Sequence, residues 1–119
     1  MGTGAPGTIE LLYWEGCPSH AQTREELGQA LRELGHADTD IAMRRVETEE
    51  EAAQLGFCGS PTIRVGGADP LPPPPGEPTG LTCRIYWTAA GRPSPTPDPE
   101  LLRAALARLI GTQAKEPNA

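Results

Sequence analysis

A chain of 119 residues with 16 acidic and ten basic side chains, net charge −6, is sized for one domain built on one core. Its sign opposes a phosphate backbone and it has no basic stripe, so nucleic acid and anionic membrane are disfavoured as partners. It lacks the run of about 18 apolar residues that a bilayer span needs, and Met1 to Pro6 has neither the basic start nor the apolar stretch of a secretory signal, so the expected compartment is cytoplasmic.

Thr8 to Trp14 is β-branched, aromatic and mostly apolar, which predicts a first strand buried on both faces. Gly16 breaks it, and Pro18 suits the first turn of a helix, where its missing amide is no loss. Leu27, Leu31 and Leu34 continue at helical spacing until Gly35 stops the helix. A second strand, 41–46, is interrupted by Arg44 and Arg45. Thr48 and Glu51 then form a capping box, with the Glu51 carboxylate expected to return to the Thr48 amide. This short helix ends at Gly56.

Pro61 to Val65 alternates as a third strand and Gly66-Gly67 closes it. The segment 67–80 is too rich in proline for a helix or a ladder and reads as a loop insertion, in part polyproline II. Leu81 to Thr88 returns to strand, with Cys83 alternating beside Leu81 and Ile85 on one buried face. A second proline-rich loop leads to Asp98-Pro99, an N-cap with proline at the first helical position. Leu101, Leu102, Ala105, Leu106, Leu109 and Ile110 make the apolar stripe of the last helix, followed by Gly111 and a frayed tail from residue 112. Alternating strands and helices imply parallel pairing, and the two adjacent late strands an antiparallel pair.

Three cysteines, an odd number in a reducing compartment, argue against a disulfide framework. Cys17 falls at a helix N-terminus, where free amides and the helix dipole favour a thiolate. His20, three residues on, shares its face and is placed to tune the sulfur, as imidazolium or as proton acceptor. Cys58 lies three residues before Pro61 and is a candidate resolving thiol, provided its Cα falls within about 7 Å of that of Cys17. Cys83 reads as a buried apolar residue, with a resolving role as the competing idea. Cys17, His20, Cys58 and Cys83 lack the paired spacing of a structural zinc site, so no metal is assigned.

Tyr13-Trp14-Glu15-Gly16-Cys17-Pro18 followed by Gly59-Ser60-Pro61-Thr62 resembles the thioredoxin-like superfamily over about residues 8 to 111, in particular small bacterial thioredoxin-like (seleno)proteins. The abundance of Arg and Ala agrees with a GC-rich bacterial genome. The resemblance implies an α/β fold of order β-α-β-α-β-β-α, a mixed central sheet flanked by helices. It also implies Cys17 as the attacking thiol, Pro61 as a cis-proline packed against it and Ser60 as a backbone contact for the partner. Trp14, Pro18, Ser60 and Pro61 then make the substrate-contacting surface. The superfamily's second motif cysteine is replaced here by His20, and its buried acid on the first strand by Leu12. The implied activity is thiol–disulfide exchange without a bound organic cofactor, on a protein disulfide or a small thiol such as glutathione or mycothiol. A non-catalytic binding or adaptor module and a heavy-metal thiol protein are the alternative readings.

Overall fold

The computed structural model describes residues 9–110. Its centre is β1 (Ile9–Tyr13), flanked by β2 (Ile41–Arg45) and β3 (Thr62–Val65) in the order β2-β1-β3. β2 runs parallel to β1, pairing Ile9 with Ile41 and Tyr13 with Arg45. β3 runs antiparallel, pairing Ile9 with Val65 and Leu12 with Thr62. Parallel pairing therefore holds for β2 and fails for β3. The sheet is mixed and carries three helices: α1 (His20–Glu33), α2 (Glu49–Leu55) and α3 (Pro99–Ile110).

Strand alternation assigns β1 to two cores. Ile9 and Leu11 join Ile63 and Val65 beneath Leu27, Leu31 and Leu34 of the α1 segment and Leu102 and Leu106 of α3. Leu12 points the other way, into a smaller cluster with Val46, Ala52 and Phe57, which Trp14, Leu55 and Leu81 border. Helices thus cover both faces of β1, as its near-continuous apolar sequence requires. β2 lies at an edge and is largely exposed, so Arg44 and Arg45 sit in solvent rather than interrupting a buried strand. Arg45 pairs there with Glu15 and Glu47 at 2.8 and 2.9 Å.

The local end signals are realised with small shifts. Thr48 caps α2 by accepting the Glu51 amide at 3.0 Å. The returning Glu51 carboxylate takes the Glu47 amide at 2.8 Å, one residue earlier than the capping box implies. Gly56 closes α2 in the left-handed conformation at φ 66°. Asp98 caps α3 through the amides of Glu100 and Leu101, and its other oxygen accepts from Ala89. Those amides, Ala89 first, hold its carboxyl below the ordinary value. Residue 8, Gly111 and the tail from 112 lie outside the described residues.

The region after β3 departs most from its sequence pattern. Residues 81–88 do not form a strand beside β3. Only β4 (Tyr86–Trp87) is extended, and it pairs with β5 (Pro93–Ser94) in a separate hairpin. The burial phase is inverted as well: Arg84 and Tyr86 are buried, while Cys83, Ile85 and Trp87 face outward. The cause is electrostatic. The Arg84 guanidinium reaches Asp69 at 2.9 Å and Thr62 at 3.1 Å, bonds the Leu71 carbonyl, and stacks 4.4 Å over the Tyr86 ring. A buried cation satisfied this fully fixes the register of the segment, and the neighbouring odd-numbered residues must point away.

Candidate functional site

The turn after β1 is shaped by Gly16. A Cβ there would fall 2.5 Å from the Trp14 ring, so the indole closes over the turn only because the side chain is absent. The Cys17 amide bonds the Trp14 carbonyl at 3.0 Å, which completes the turn and directs the sulfur inward. Pro18 is exposed and Ser19 is the N-cap, so α1 starts at His20 and both Cys17 and Pro18 precede the helix rather than open it.

Cys17 is 1% exposed, and its thiol donates to the Ser60 carbonyl at 3.4 Å. The Ser60–Pro61 peptide is cis. Tyr86 anchors the other side of this turn, its hydroxyl donating to the Pro61 carbonyl, and burial pushes that phenol above its ordinary pKa. Burial alone would raise the Cys17 thiol too. It is outweighed by the Ser19 amide, the Cys83 thiol and the Ser19 and Ser60 hydroxyls, so the net shift is downward. The Ser60 hydroxyl is buried and has no hydrogen-bond partner, which leaves it free to serve a thiolate.

His20 takes a different place from the one its spacing implies. Its ring stacks on Tyr13 at 4.4 Å between centroids. Nδ1 donates to the Cys17 carbonyl at 2.8 Å rather than to the sulfur. His20 thus holds the backbone of the cysteine turn, and Ser19 supplies the donors that favour the Cys17 thiolate. Tyr13 is half-buried against this ring rather than in the core. Trp14 borders the smaller core while shaping the turn.

The other two cysteines sit in different surroundings. Cys58 directs its sulfur to the carbonyls of Gly56 and Glu77, at 3.7 and 3.5 Å. The Cys83 backbone lies beside Ser60, the residue that accepts the Cys17 thiol. The Ser60 amide donates to the Thr82 carbonyl and the Arg84 amide to the Ser60 carbonyl, both at 2.8 Å, so Ser60 and Cys83 form a parallel bridge. Cys17, through its thiol, and Cys83, through its backbone, are therefore both placed against Ser60. Their ionisations are linked: the Cys17 side chain, then burial and the Cys17 charge, raise Cys83, while Cys83 helps to lower Cys17. Cys83 is exposed, contrary to its alternation with Leu81 and Ile85. The chain gave one signal for this, the pair Asp69 and Arg84, which carries no local motif.

Gly59, at φ 136°, lets this strap approach. A Cβ there would lie 3.0 Å from the Arg84 Cβ and 3.1 Å from its backbone. Among the described residues, no three His, Cys, Asp or Glu side chains converge as a metal site, so the cysteines and His20 are not gathered round one point. No helix among them is long and apolar enough to cross a membrane. Comparison with protein-family models, with curated proteins and with solved structures finds no match for this chain.

Proposed function

We propose that this chain is a thioredoxin-like thiol–disulfide exchange protein whose working pair is Cys17 and Cys83. The observation that carries the reading is their convergence on Ser60, whose carbonyl accepts the Cys17 thiol and whose backbone pairs with the backbone around Cys83. Two thiols that perturb each other's ionisation, one favoured as thiolate, make a dithiol that cycles to a disulfide. The mixed β2-β1-β3 sheet, helices on both faces of β1 and a cis peptide before Pro61 agree with the thioredoxin resemblance. The replacement of the second motif cysteine by His20 then has a structural counterpart, because Cys83 arrives from a distant strap.

Ser19 and Ser60 favour the Cys17 thiolate, and His20 and Tyr13 hold its turn. Arg84 and Tyr86 fix the strap and the Pro61 turn. The test is the rate of exchange with a small disulfide such as 2-hydroxyethyl disulfide, for the parent chain and for Cys17→Ser and Cys83→Ser. Each variant is expected to lose about tenfold or more, since neither remaining thiol can complete the cycle. Parent-like exchange in both variants would remove the reading.

A further inference from the structure

The two sulfurs of the proposed pair have unequal access to solvent. Cys17 is 1% exposed, and its thiol bonds the Ser60 carbonyl, to which the 82–84 strap is also paired. Cys83 is exposed and lines a cavity of about 670 Å³, whose wall also includes the less exposed Cys58 and Glu77, Leu81, Ile85 and Trp87. Ile85 and Trp87 are 60% and 58% exposed, so this wall offers apolar surface to a ligand. The charged residues lining the cavity are Glu49, Glu77 and Arg84. The Arg84 guanidinium is committed to Asp69, Thr62 and Leu71, which leaves the cavity with an acidic character.

We propose that this cavity is the port through which a small neutral or cationic thiol exchanges with the pair, and that it does so at Cys83, with Cys17 as the inner thiolate. The proposal rests on the Cys17–Cys83 dithiol reading. In the oxidised protein the incoming thiolate attacks the Cys83 sulfur. The Cys17–Cys83 bond breaks, and its electron pair leaves on Cys17. Cys83 is then joined to the incoming group as a mixed disulfide. A second molecule of thiol, as thiolate, attacks the outer sulfur of that bond. It releases the small disulfide and a Cys83 thiolate, which takes up a proton. Two small thiols are oxidised to one disulfide, and the protein disulfide is reduced to the dithiol. Access selects the sulfur attacked, and the donors around Cys17 make it the better leaving group.

Three peptides separate the cysteines, because trypsin cleaves after Arg24, Arg45, Arg64 and Arg84. The full chain, oxidised to the Cys17–Cys83 disulfide, is mixed with limiting β-mercaptoethanol and quenched in acid. It is then labelled with N-ethylmaleimide in denaturant and digested without reductant. The expected product carries the mercaptoethanol disulfide on Cys83 and the maleimide on Cys17. The reverse distribution, an equal one, or the mercaptoethanol disulfide on Cys58 overturns the port. A second arm compares cysteamine with glutathione, each normalised to its rate with a free peptide disulfide. Cysteamine is expected to lead by about threefold or more, with the gap narrowing in Glu77→Gln. Equal rates, or a glutathione lead, overturn the charge assignment. Failure to form any Cys17–Cys83 disulfide at the outset would instead remove the dithiol reading, and the port with it.

Discussion

Around Cys17 the chemistry is set by a few donors. The thiol is desolvated, which opposes ionisation, and that cost is outweighed by the Ser19 amide and by the Cys83, Ser19 and Ser60 side chains. Cys83 carries the opposite shift. Their linkage to stability is also opposite. Cys17, lowered, adds stability that is present above the ordinary thiol pKa and is lost as pH falls through its folded value. Cys83, raised, adds stability that is present below the ordinary value and is lost as pH rises through its own. A thiolate ultraviolet titration of Cys58→Ser should show one group ionising below the free-thiol value of about 8.5 and one above it. Cys83→Ala should move the lower midpoint up, since it removes a donor. A single unshifted transition for both cysteines would contradict this account.

Among the elements, the strap from Thr82 to Arg84 carries Cys83 to Ser60, on which the proposed pair depends. Arg84 is buried at 7% exposure and bonded to Asp69, so Arg84→Ala strands that carboxylate and should cost about 3 kcal/mol in urea unfolding. Gly59→Ala is the more discriminating change. It forces a Cβ against the Arg84 backbone at a φ of 136°, while Gly59 itself carries no part of the buried cores. The folded variant should show a slower Cys17–Cys83 oxidation, by about tenfold, read as loss of free thiol with time. Parent-like oxidation would mean that the strap does not depend on this close approach. The elements were legible in the sequence where local chemistry decides them. The spacing of Leu27, Leu31 and Leu34, the Thr48 cap and Asp98-Pro99 all act within a turn or two of chain. The segment 81–88 was not legible. Its alternation fits two phases, and the winner was chosen by Asp69 and Tyr86 gripping Arg84, contacts that no window on the sequence contains.

At the level of the whole molecule, β1 is the organising strand, with α1 and α3 over Ile9 and Leu11 and the α2 side over Leu12. The turns leaving β1 and entering β3 come together at one end of this sheet, bringing Cys17 and Ser60 into contact across 43 residues of sequence. That meeting was foreseeable from the paired motifs, because both flank strands of one sheet. The third participant was not, because Cys83 arrives after a proline-rich excursion whose length and path leave no periodic trace. Cys58, nearer in sequence to Pro61, is turned instead towards Gly56 and Glu77. The proposed Cys17–Cys83 pair is a connectivity, which disulfide mapping reads. After mild oxidation and digestion without reductant, mass spectrometry should find the Cys17 peptide joined to the Cys83 peptide, with Cys58 free. A Cys17–Cys58 linkage, or three free thiols under oxidant, would contradict the account.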